Sequence, residues 1–180
     1  MDNWSDVHRF NSVTNTFTST VTTNPTGLNG ACFATRKDSA GNHELLFSTG
    51  GYNDGCLPTC GNSAMYILDL DSMIWTVGPN LVEGRHYPSC AYANGKLWIF
   101  GGEYASGNVE KLDIGSNTVS QIAASSWTQI GASLGTTSVS SSKAIYVADV
   151  QTVFIFGGYY YGMQKRVFIN AFQKRYHTQR

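Results

Sequence analysis

Three times in this chain a run of large apolar residues ends in a pair of glycines, with an aromatic close behind: LLFSTGGY at 45–52, LWIFGGEY at 97–104 and VFIFGGYY at 153–160. The leading glycines, Gly50, Gly101 and Gly157, stand 51 and then 56 residues apart. A single run of this kind, such as KLWIFGGE at 96–103, has two readings. Glycines that close a strand can open a phosphate-binding loop, where backbone N–H groups approach a ligand. They can also form a joint in a sheet, because glycine adopts backbone angles closed to other residues and has no Cβ to collide with a crowding neighbour. A phosphate loop occurs once in a domain, whereas a joint recurs with its repeat. Three copies select the joint.

A second signature follows each pair. LDLDSMIW (68–75), LDIGSNTV (112–119) and INAFQKRY (169–176) each set an apolar residue before Asp or Asn, with a bulky residue seven positions after the first. FNSVTNTF (10–17) is a fourth copy without a preceding double glycine. The pattern predicts a strand, a tight turn and a second strand, since the short Asp or Asn side chain bonds the backbone that follows it. Between glycine pairs, SCAYA (89–93) and KLWIFGG (96–102) predict a hairpin across Asn94-Gly95. VEKLDI (109–114) and TVSQI (118–122) predict the next hairpin. Counting back from the third glycine pair sets Tyr146 against Cys90 and Val150-Gln151 against Asn94-Gly95. The first copy holds a longer insertion, RKDSAGNHE (36–44), which makes Cys32 the counterpart of Cys90. The apolar runs alternate little, as strands covered on both faces do.

Four short antiparallel strands repeating at about 50 residues, with paired glycines and aromatics, describe the blades of a β-propeller. In its double glycines at 50–51, 101–102 and 157–158, with Trp75 and its equivalents, the chain resembles kelch repeats over nearly its whole length. It departs from that pattern at Val119, which stands where the family usually has Trp, and where the aromatic after the double glycine is shifted or absent. The resemblance implies an all-β fold: a β-propeller of kelch type with four-stranded antiparallel blades in an incomplete ring. The expected units are the last two strands of a preceding blade (1–24) and blades at 25–80, 81–124 and 125–180. Kelch-like rings usually close at six or seven blades, so the chain is expected to be a piece of a longer polypeptide that begins in mid-blade. Association of copies is the alternative.

Composition narrows the function. The 180 residues are 42% hydrophobic, 13% aromatic and only 13% charged, with zero formal net charge, which excludes a coiled coil or a charged disordered chain. No segment approaches the roughly 20 apolar residues of a membrane span, and MDNWSDVHRF shows neither the basic start nor the apolar stretch of a secretory signal. Lys165, Arg166, Lys174, Arg175 and Arg180 all follow the last acidic residue, Asp149. Without a basic helix or an aromatic RNA-binding motif beside them, they read as a solvated end, and no nucleic acid is expected.

No catalytic or metal-binding set emerges. His8, His43, His86 and His177 lack metal-ligand spacing, and hydrolase, phosphate-loop, dinucleotide and Asp-box signatures are absent. Galactose-oxidase-like propellers use copper with Tyr, His and Cys; those residue types occur here, but Tyr in a β-protein ordinarily packs. No cofactor is expected. Cys56 and Cys60 in GCLPTCGN are a candidate disulfide, which implies an oxidising compartment; free thiols in a cytoplasmic loop are the other reading. Cys32 and Cys90 are expected to act as small buried hydrophobes. Asn3-Trp4-Ser5 is a glycosylation sequon, meaningful only in a secreted protein.

Repetition sets the loops after the glycine pairs on one face: Tyr52, Asn53 and Asp54; Glu103 and Tyr104; Tyr159, Tyr160 and Tyr161. Arg85 and His86, leading into the second blade, are expected to join them, and exposed tyrosines are favoured contact residues. The expectation is a non-catalytic protein–protein interaction module that binds a protein partner through these loops. The alternatives are part of a galactose-oxidase-like or glycan-processing propeller enzyme, and an extracellular carbohydrate-binding or adhesion repeat.

Overall fold

The computed structural model describes residues 6–23, 29–51, 61–103, 105, 107–133 and 139–158. These residues form an all-β chain of antiparallel sheets. Strands β1 (Asp6–Asn11) and β2 (Thr16–Thr23) make a two-stranded sheet. The first four-stranded sheet takes β3 (Cys32–Lys37), β4 (His43–Thr49), β5 (Met65–Asp69) and β6 (Ile74–Val77) in chain order. The second takes β7 (Ser89–Ala93), β8 (Lys96–Phe100), β9 (Asn108–Asp113) and β10 (Thr128–Ser133) in the same order. A last pair, β11 (Lys143–Val147) and β12 (Thr152–Phe156), forms its own sheet.

Local chemistry accounts for the turns. Asn94 and Gly95 both adopt positive φ, 51° and 72°, and join Ala93 to Lys96 in register. Asn11 Oδ1 accepts the N–H groups of Val13 and Thr14 at 2.9 and 3.1 Å. Asp69 Oδ1 accepts those of Asp71 and Ser72 at 3.1 and 2.8 Å. Four residues after each acceptor, Asn15 and Met73 turn back with φ of 55° and 57°. The two copies of the Asp/Asn signature are thus the same turn.

Alternation along the strands sorts side chains between two cores. Leu97 and Ile99 of β8 join Leu45, Phe47, Met65 and Ile67 of the first sheet in one buried cluster. Phe100, with Ala91, Ala93 and Val109, meets Val153 and Ile155 of β12 in another. The second sheet is therefore covered on both faces, which is why KLWIF carries no polar alternation. The leading strands β3, β7 and β11 run side by side. A disulfide joins Cys32 of β3 to Cys90 of β7, their Cα atoms 5.8 Å apart.

Four sequence expectations change. Residues 118–122 are not a strand: Val119–Ala123 is a short helix, α1. Thr118 caps it, with Gln121 N–H reaching Thr118 Oγ1 at 3.4 Å and Gln121 Oε1 accepting Thr118 N–H at 2.8 Å. Its apolar residues, Val119 and buried Ile122, are three apart and both meet the first core, a helical spacing. The outer strand is β10, so the second sheet runs to Ser133, beyond the expected boundary at 124/125. Trp127 lies buried ahead of β10 and donates from Nε1 to Pro79 O at 3.1 Å. Tyr146 pairs with Val153 as Tyr92 pairs with Leu97, so its counterpart is Tyr92 and not Cys90. The β11–β12 loop holds Ala148–Gln151, two residues more than Asn94-Gly95. Cys32 pairs with Thr49 as Ser89 pairs with Phe100, so its counterpart is Ser89 and not Cys90; the two cysteines are buried, as expected, but bonded to each other.

Candidate functional site

The glycine pairs, and the segments that lead into β3, β7 and β11, gather at one end of the sheets. Both glycines of every pair have positive φ: 72° and 110° at 50–51, 57° and 104° at 101–102, and 68° and 116° at 157–158. The second glycine has no room for a side chain. A Cβ on Gly102 would lie 3.0 Å from Arg85 Cβ and 3.1 Å from His86 O, and one on Gly51 would lie 3.2 Å from Asn29 O. That glycine also ties its sheet to the next: Gly51 N–H donates to Arg85 O at 2.8 Å and Gly102 N–H to Val139 O at 2.9 Å. The repeated joint is architectural.

A second tie runs parallel to it. Tyr87 N–H donates to Gly30 O at 3.0 Å, and Ser141 N–H donates to Tyr87 O at 2.9 Å. The three residues hold equivalent places ahead of β3, β7 and β11, with φ of 74°, 52° and 57°. Ser89 and Ser142 reinforce the tie through their hydroxyls, 2.9 Å apart.

Arg85 was expected to present itself on this face, but its side chain is fully buried. Its Nη1 donates to Gly101 O at 2.7 Å and to Asn108 O at 2.8 Å. Its Nη2 and Nε donate to Glu110 Oε1 at 2.8 and 3.2 Å. Glu110, equally buried, also accepts Val82 N–H at 2.8 Å and Glu83 N–H at 3.1 Å. Every charge-bearing atom of the pair meets a partner, the condition under which a buried ion pair is tolerated. Arg85 therefore clamps the carbonyl of the leading joint glycine and supports the face from beneath. Glu110 went unnoticed in the sequence, since an acidic residue in VEKLDI looks like an ordinary outward strand position.

His86 and Glu103 are brought together. They exchange backbone hydrogen bonds, with Glu103 N–H to His86 O at 2.6 Å and His86 N–H to Glu103 O at 3.2 Å. His86 Nδ1 lies 3.3 Å from Glu103 Oε2, and Ser140 Oγ donates to Glu103 Oε1 at 3.4 Å. The His86 ring stacks on Tyr87, with centroids 3.8 Å apart. The Glu103 side chain is 28% exposed and that of His86 11%. This is a carboxylate oriented by groups from two lead-in segments, with one edge open to accept donors from outside. Beside it, Ala31, Phe33, Pro88, Ser89, Ser142 and Lys143 line a cleft of about 200 Å³ against the disulfide. Tyr52, Asn53, Asp54, Tyr104, Tyr159, Tyr160 and Tyr161 lie outside the described residues, as do Cys56 and Cys60. Among the described residues, no three His, Cys, Asp or Glu side chains are grouped to hold a metal ion, and no helix is long and apolar enough to cross a membrane.

No family model and no curated protein sequence matches this chain. Among solved structures it is similar to that of YjhT, with 18% identity and a TM-score of 0.62. The likeness covers 85% of this chain and 50% of that one, so the chain spans about half the length of YjhT. At that identity the comparison concerns fold alone: the chain shares with YjhT an all-β architecture.

Proposed function

We propose that this chain is part of a kelch-like β-propeller that binds a protein partner and carries no catalytic centre of its own. The propeller reading is supported by the joint, which repeats with the same φ pair and the same N–H tie to the next sheet, and by leading strands that run side by side. The fold likeness to YjhT supports its all-β part. The binding reading rests on one observation: equivalent joints gather at a common end, and there Glu103 keeps a partly exposed carboxylate while Arg85 beneath it is sealed. In the sequence Tyr52, Asn53, Asp54, Tyr104 and Tyr159–Tyr161 follow those joints directly, and tyrosine is a favoured contact residue.

The Cys32–Cys90 bridge favours an oxidising compartment. It thereby lends weight to a second reading, an extracellular adhesion or carbohydrate-binding repeat.

The test is site-specific photo-crosslinking in extract and medium of the source cells. One variant carries the crosslinker at Tyr104, and another at Asn94, at the far end of the same sheet. A discrete protein adduct from position 104, lost on adding Glu103→Ala and absent from position 94, is the expected result. Equal labelling from both ends, or none from position 104, refutes the binding face.

A further inference from the structure

We propose that the Cys32–Cys90 bridge is a thiol-exchange site, and that the cleft beside it takes a small thiol bearing carboxylates. The site is independent of the partner proposed for the Glu103 face. Both cysteines belong to the buried cluster that holds Leu45, Phe47 and Ile99. Both also line the cleft of about 200 Å³ at the start of β3, β7 and β11. The bridge is thus backed by core on one flank and borders open space on the other. A bridge sealed inside a core is reached only after unfolding, whereas one that lines a cleft is open to attack in the folded chain.

Charge around the cleft selects the attacker. Among its lining residues Lys143 alone carries a charge, Ser89 and Ser142 add hydroxyls, and no carboxylate is present. A cation near sulfur favours thiolate over thiol. Lys143 therefore acts twice, drawing in the attacking thiolate and stabilising the cysteine thiolate that leaves. Carboxylates on the entering thiol add to this attraction, and an amine in their place opposes it. Ala31, Phe33 and Pro88 give the same cleft an apolar wall for the carbon frame of the thiol.

The exchange balances in two steps. The entering thiolate bonds to one bridge sulfur, the S–S bond breaks, and its electron pair leaves with the other cysteine, which takes up a proton. The chain then holds one mixed disulfide and one free cysteine. A second thiolate attacks the sulfur of the first thiol in that mixed disulfide and releases the remaining cysteine, again protonated. Two thiols are oxidised to one disulfide, and the same two electrons reduce the bridge to two cysteine thiols. The sheets do not depend on the bond to stay together. Tyr87 N–H donates to Gly30 O at 3.0 Å and Gly51 N–H to Arg85 O at 2.8 Å, while Leu97 and Ile99 share a core with Phe47 and Ile67. The bridge is therefore able to open and close within a folded chain.

The experiment treats the purified full chain with glutathione, an anionic thiol, or with cysteamine, a cationic one. Each rate is divided by that of the same thiol with neutral hydroxyethyl disulfide, and products are trapped by alkylation and located by peptide mapping. Glutathione is expected to open the bridge through an adduct at Cys32 or Cys90, at a rate that does not rise with urea below the unfolding transition. The opened chain should keep the native circular dichroism spectrum. One charge acting on another through water at several ångströms is worth about threefold in rate, so glutathione should lead cysteamine by about that factor. Lys143→Gln, at an exposed position, should erase the lead. A rate that follows the unfolded fraction in urea overturns the site, as does reaction confined to Cys56 and Cys60. Equal rates for the two thiols, or a lead that survives Lys143→Gln, overturn the selection of an anionic thiol by this cleft.

Discussion

Breaking the bridge between Cys32 and Cys90 should be the most costly two-atom change in this chain. The cysteines are 58 residues apart, so the bond closes a long loop in the unfolded chain. The loop-closure relation gives about 4 kcal/mol of stabilisation for a loop of that size. For a chain of 150 to 250 residues each kcal/mol moves the melting temperature by roughly 2–4 °C, so reduction should lower it by roughly 8–16 °C. Replacing both cysteines with alanine also removes two buried sulfur atoms, each worth about one methylene, or ~0.8 kcal/mol. The entropic effect dominates, and the double variant should melt only slightly below the reduced native chain. The assay is calorimetric melting with and without a thiol reductant, for the native chain and for Cys32→Ala/Cys90→Ala. A native chain insensitive to reductant, or a double variant that loses as much on reduction as the native chain does, refutes the assignment of that stability to this bond.

Arg85→Ala should destabilise by about 3–5 kcal/mol in urea unfolding, because it strands the buried Glu110 carboxylate. Arg85→Met combined with Glu110→Leu should cost clearly less than the sum of the single losses. Gly102→Ala should cost more than Gly157→Ala in the same assay. Both alanines would sit at unfavourable positive φ, at about 1–2 kcal/mol, but only the one at 102 meets backbone and side-chain atoms. Asp69 supplies a pH dependence. The hydrogen bond from Ser72 N–H holds its carboxyl below the usual range, so folding favours the ionised form. Its stabilisation is present above the unfolded value of about 3.9 and is lost as pH falls through the lower folded value. The stability gap between the native chain and Asp69→Ala should therefore narrow as pH falls below about 4 in acid titrations of unfolding.

Much of the local order was legible because it depends on neighbours in the chain. Asn94-Gly95 turns through paired positive φ angles, and Asn11 and Asp69 make their turns through bonds that span two or three positions. Where the reading slipped, a detail that hydrophobic patterning does not register decided. Five residues at 118–122 suited a strand until the Thr118–Gln121 cap and the burial of Ile122 made them a helix. Tyr146 was misaligned because a gap-free count cannot see two extra loop residues. The candidate site was legible in part: His86 and Glu103 do meet, while Arg85 proved to be buried support.

By itself the sequence determined the repeat, the antiparallel strands and the turns, since hydrophobic runs, paired glycines and Asp/Asn turns act within a few residues and recur with the unit. Tertiary structure alone decided the rest. It paired Cys32 with Cys90 and Arg85 with Glu110, partners that only the stacking of sheets and the packing around them bring within bonding distance. It also aligned Gly30, Tyr87 and Ser141 in one backbone ladder. Three unrelated side chains share that role because a main-chain hydrogen bond asks only for a backbone angle, and such a rule leaves no mark in the residue types.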